Sequence, residues 1–287
     1  MSLYGFLNLW FLPYKEIAQI QRDIYEDGIK VGDFDSATFA KCLYYRFAFF
    51  AGCEKLEVLT KGYMRDCRDE FTKYNVEVLR FAVIDILLFD TLTGRNSNPL
   101  STSKRPEFKS EDSFLAYAKS KKLHQSLVII HINHFMRSFW RGEYKEAKTH
   151  YELAEELPSF RIPKVQLLHS VFYYGLVLFQ LHRDGEGEEC FEKGKAVMEQ
   201  MRRWVPNCKQ TFESKLILLE AECKSENLHT VTELNLTHSK LPKTTPRTAT
   251  SLRRRNRMIC LRRLRSRTDL YTSRGSRTSC TASFSSL

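Results

Sequence analysis

The sequence predicts an all-α protein: an irregular α-solenoid of antiparallel helix pairs with a disordered basic C-terminal tail. Three observations carry this. Apolar residues recur at spacings of three and four along most of the chain, the period of a helix with one buried face. Alternating runs of β-branched residues are almost absent, so strands have no signal. Glycines separate successive helical stretches, as short turns between antiparallel neighbours require. With 43% apolar residues and 20 phenylalanines in 287 residues, the chain has ample material for a core.

The clearest turn lies in FWRGEYKEAKTHYELAEELP, residues 139–158. Gly142 is followed by Tyr144, Ala147, Tyr151, Ala154 and Pro158. In this order a glycine makes the turn, small residues let two helices approach, aromatics fill between them, and a proline closes the helix. The spacing resembles the turn and second helix of a tetratricopeptide repeat. Gly32, Phe34 and Ala37 reproduce its first half. The period is irregular, 43 residues from Gly142 to Gly185 and 110 from Gly32 to Gly142, so the expectation is tetratricopeptide-like rather than a regular array.

In chain order, Pro13 suits a helix start, and PYKEIAQIQRDIYEDG reads as an amphipathic helix ending at Gly28 or Gly32. Asp33 and Asp35 offer N-caps for the next helix, which ends at Gly52. CEKLEVLTKGYMRDCRDEFTKYN and VEVLRFAVIDILLFDTLTG follow, divided near Asn75. Residues 94–112, with two prolines and few apolar side chains, read as a linker between helical groups at 1–93 and 113–226. A short helix from Ser110 to Lys122 carries Phe114, Tyr117 and Ala118 on one side. LHQSLVIIHINHFMRSFWRG then pairs with the Gly142 helix. Val165, Leu168, Phe172, Leu176 and Phe179 form one apolar stripe, interrupted by Gly175, which predicts close approach of a neighbouring helix. Two further helices end the body, the last with Phe212, Leu216, Leu219 and Cys223 on one face.

Residues 227–287 are expected to be poorly ordered. From Lys240 onward the chain holds two lysines, eleven arginines, one acid (Asp269) and sixteen Ser/Thr residues, with no sustained apolar period. That stretch carries +12 against +11 for the whole chain, so residues 1–239 are close to neutral at −1 and basicity belongs to the tail alone. The change of composition is what reading a helical region in the wrong frame would produce. The arginines at 253–257 and 262–267 define the alternative class, a nucleic-acid-binding or nuclear protein acting through this tail. The eight cysteines show no CxxC pair and no metal-ligand spacing, as suits reduced thiols in a cytoplasmic protein. The apolar start MSLYGFLNLWFLP and the run FAVIDILLF are too short to span a membrane.

No residue constellation states an activity. His182-Arg183-Asp184 spells the opening of a kinase catalytic loop, but Glu189 stands where its asparagine belongs. A polar helix end is the better reading. His131 and His134 lie at i, i+3 without an evident third ligand, so partly buried structural histidines are expected. Glu152, Glu155 and Glu156 read as a wet helix face. Phosphate-loop, dinucleotide-binding and zinc-protease motifs are absent. The expectation is therefore a non-catalytic chain without cofactor or metal.

Four stretches in order carry a family likeness: YGFLNLWFLPYKE with GIKVGDFDSATFA; YYRFAFFAGCEKLEVL; FWRGEYKEAKTHYELAEE; and FYYGLVLFQL with RRWVPNCKQTFESKLILLEAE. In the last, Trp204, Asn207, Phe212, Lys215, Glu220 and Glu222 stand at matching positions. Residues 2–226 resemble the helical, tetratricopeptide-like segment of large signal-transduction ATPases of the AAA/STAND type. Those proteins join kinase-like, ATPase, GAF and histidine-kinase or cyclase domains to this segment. The resemblance implies an interior piece of a larger protein, and carries no nucleotide chemistry because the ATPase and kinase domains have no counterpart here. It implies a scaffold that grips a protein partner or an adjacent domain, with nucleic acid reached only through the tail and no membrane partner. Tyr44, Tyr45, Trp140, Tyr144 and Tyr151 are candidates to line its surface, most of them expected in the core between helices instead.

Overall fold

The computed structural model describes residues 8–67, 69, 79–94, 106–161 and 165–238. The chain divides into two units, Met1–Thr230 and Val231–Leu287, and the packing below lies within the first. Among the described residues the α-helices are α1 (Tyr14–Val31), α2 (Phe34–Ala51), α3 (Leu56–Asp66), α4 (Leu79–Leu92), α5 (Glu111–Ser120), α6 (His124–Arg141), α7 (Tyr144–Glu155), α8 (Val165–Arg183), α9 (Glu188–Trp204) and α10 (Lys209–His238). No strand occurs among the described residues. The expected all-α class is what the structure shows.

Local chemistry sets the helix ends. α1 passes through Gly28 and stops at Gly32, whose φ of 78° is left-handed. Asp33 then caps α2, accepting a hydrogen bond from the Ser36 amide at 3.1 Å. The Gly142 turn uses the same device: at φ 81° its amide bonds the Phe139 carbonyl, and the Glu143 amide bonds that of Ser138 at 2.9 Å. A residue with a Cβ would be strained there. Ser110, read from sequence as the first residue of α5, is instead its cap, accepting from the Ser113 amide at 3.0 Å.

Neighbouring helices pack in pairs, most intimately α1 with α2, α6 with α7, and α8 with α9. α8 also touches α2, α6 and α7, and its Gly175 faces Leu219 of α10. The single apolar stripe expected for this helix is therefore corrected. It is buried on nearly every side, including Gln166, His169, Ser170 and Tyr174, because it has neighbours all round. One core cluster gathers residues from Leu9 to Cys223. At one edge Trp10 meets Trp204 nearly edge-on, with centroids 5.2 Å apart, and lies 6.3 Å from Phe212. A smaller cluster under α4, α5 and α6 holds Ile84, Phe108, Phe114 and Ile130. Phe108 is thus buried within a stretch that composition reads as linker.

α10 runs to His238, past residue 226, where the sequence places the start of the tail. SENLHTVTELNLTH contains no proline or glycine to stop it. The division near Asn75 and the arginine clusters of the tail lie outside the described residues.

Candidate functional site

The repeat-signature residues divide between packing and surface. Ala147 and Ala154 are fully buried and Tyr151 nearly so. Tyr151 stacks on Tyr174 of α8 with centroids 3.8 Å apart. Tyr144 is half-buried against Phe139, and Pro158 opens a short 3-10 turn after α7. Phe212 is buried beneath half-buried Trp204. Asn207 is exposed in the α9–α10 turn. Glu220 and Glu222 are held by Arg202 at 2.7 Å and Arg183 at 2.8 Å. Lys215 hydrogen-bonds the Thr211 carbonyl at 2.6 Å, and burial lowers its pKa from 10.5 to about 8.

The aromatic candidates separate in the same way. Tyr45 and Tyr151 belong to the core, Tyr44 and Tyr144 are half-buried, and Trp140 is 55% exposed. Its indole rests edge-on against Phe139 at 5.3 Å and Tyr173 at 5.8 Å. Next to it, Gly142, Tyr144, Lys145 and Glu146 line an open groove of about 380 Å³ with Leu181 and Asp184 at the end of α8. Lys145 reaches across to Glu186 at 2.5 Å.

His131 and His134, adjacent on α6, are joined by a residue that sequence reading does not single out, His150 of α7. His131 Nδ1 lies 3.3 Å from His150 Nδ1, and the His134 and His150 rings are 4.7 Å apart. His134 Nε2 sits 2.9 Å from Glu111 Oε1, and Arg137 grips the same carboxylate with two bonds. Burial works against the charge of Glu111, but His134 and Arg137 hold its pKa down to about 2. Burial, then His150, His134 and Lys119, push His131 down to about 4. Burial and His134 lower His150 although Glu146 opposes them. Among the described residues no group of three or more such side chains is arranged to hold a metal ion.

A third polar group lies in the core. Arg46 Nε bonds Asp85 Oδ2 at 2.5 Å, Tyr63 donates to the same oxygen at 3.2 Å, and Gln166 of α8 reaches Oδ1 at 3.5 Å. Burial raises the Asp85 pKa, while Arg46 and the two other donors favour its charge. Both partners are nearly inaccessible, and the network ties α2, α3, α4 and α8 together.

His182-Arg183-Asp184 closes α8 as a polar helix end. His182 Nδ1 faces the Gly187 carbonyl, Arg183 holds Glu222, and Asp184 accepts from Gln180. Cys42, Cys67, Cys190, Cys208 and Cys223 are buried, and Cys53 is exposed. No helix among the described residues is long and apolar enough to cross a membrane. No family model, no curated protein and no solved structure matches this chain.

Proposed function

We propose that the chain is a non-catalytic, irregular tetratricopeptide-like scaffold whose α6–α7 hairpin takes part in protein–protein or interdomain contact. The observation that carries this reading is Trp140. Scattered exposed apolar residues need no explanation, and Phe11, Val58 and Ile217 are of that kind here. Trp140 differs because Phe139 and Tyr173 hold its ring in place. A preordered exposed indole loses little freedom on binding and can anchor an interface. The resemblance of residues 2–226 to the helical region of signal-transduction ATPases supports the same reading, as does the paired-helix packing. A concave face built from stacked helix pairs would then grip a partner segment.

The test is quantitative capture of partners by the whole chain, wild type against Trp140→Ala. The reading expects a defined set of proteins to be depleted at least tenfold by the substitution. An unchanged set would contradict it.

A further inference from the structure

We propose that His131 and His150 chelate a divalent transition-metal ion between α6 and α7, with His134 poised to become a third ligand. Two nitrogens bound to one tetrahedral ion at about 2.0–2.1 Å lie about 3.3 Å apart. The two Nδ1 atoms stand at 3.3 Å. They come from helices that pack as one of the most intimate pairs among the described residues, so little backbone movement is needed to accept the ion.

The outer edges of the rings also suit this role. Metal-bound imidazoles commonly direct their second nitrogen at a carboxylate, which orients the ring and raises its basicity. His134 Nε2 meets Glu111 Oε1 at 2.9 Å, and His150 Nε2 lies 3.9 Å from Glu146 Oε1, within ion-pair reach. Glu111 is itself fixed by Arg137. The rings are half-buried, which leaves an entry path for the ion. Imidazole donors favour zinc, copper, nickel or cobalt over magnesium or calcium.

Two features oppose the ion. Lys119 acts on His131 and Arg137 on His150 as like charges, and Glu146 and Glu111 oppose only the second. The His131 and His150 nitrogens face each other across a hydrogen bond that the ion would replace, and no set of three ligands is arranged for an ion among the described residues. The site therefore draws on two protein ligands, and is completed by water or by the other ring nitrogen of His134 while its Nε2 stays on Glu111.

Isothermal titration of the whole chain with zinc chloride at neutral pH tests this. One ion per chain is expected, with affinity reduced at least tenfold in His131→Gln and in His150→Gln, and less in His134→Gln. Circular dichroism should show native helix content in each variant. Zinc-edge X-ray absorption on the wild type gives a readout independent of variant folding, and two or three imidazole nitrogens at about 2.0–2.1 Å are expected. Absence of binding, wild-type affinity retained in both His131→Gln and His150→Gln, or a shell of sulfur alone would overturn the proposal.

Discussion

Arg46 and Asp85 form an ion pair 2.5 Å long whose two side chains are almost wholly withdrawn from solvent. Removing one partner of such a pair leaves a buried charge uncompensated, at a cost of about 3–5 kcal/mol, whereas replacing both with apolar residues of similar volume is near neutral. Arg46→Ala and Asp85→Ala should each destabilise on that scale in urea unfolding. Arg46→Met combined with Asp85→Leu should recover most of the loss. A double variant as unstable as the singles would show that Tyr63 and Gln166 need the carboxylate more than Arg46 does.

Gly194 and Gly175 mark where helices approach without room for a Cβ. An added Cβ at 194 would stand 2.7 Å from Phe179 Cε1, and one at 175 would stand 2.8 Å from Leu219 Cδ2. Phe179 and Leu219 are fully buried. Gly194→Ala should therefore destabilise by about 1–3 kcal/mol through overpacking, despite alanine's better helix propensity. A rise in melting temperature would refute this packing.

Lys215 has a folded-state pKa of about 8, against 10.5 unperturbed, first because it is buried. Its charged form opposes folding below about pH 8. The penalty is relieved as pH rises from 8 to 10.5, where the unfolded chain still holds the proton and the folded chain releases it. Its full size is on the order of 3 kcal/mol. Lys215→Met should therefore stabilise the protein at pH 7, and the gain over wild type should shrink toward pH 10.5. A gain independent of pH would place the effect in packing rather than charge.

The helices and several of their ends were legible because they depend on local chemistry. Gly142, Gly52 and Asp33 each sit where turn and cap rules put them, and the face of Phe212, Leu216, Leu219 and Cys223 is buried together. Gly175 pointed to a close helix neighbour, and Leu219 is that neighbour. What sequence reading missed depends on register between distant segments. His150 joins His131 only because α7 folds back along α6. Asp85 stands alone in an apolar run, and nothing local shows that Arg46, 39 residues earlier, pairs with it. The all-round burial of α8 arises from the helices packed around it, which its own periodicity does not encode.

The scaffold reading stands most directly on the Trp140 surface, and one measurement addresses it. A photo-crosslinking amino acid is placed at 140 and, in a second protein, at Val58, which is equally exposed at 55% but lies on α3. Both whole chains are irradiated in the cell. The account predicts discrete protein crosslinks from position 140 and few or none from position 58. Crosslinks equal at the two positions, or absent at 140, would contradict it.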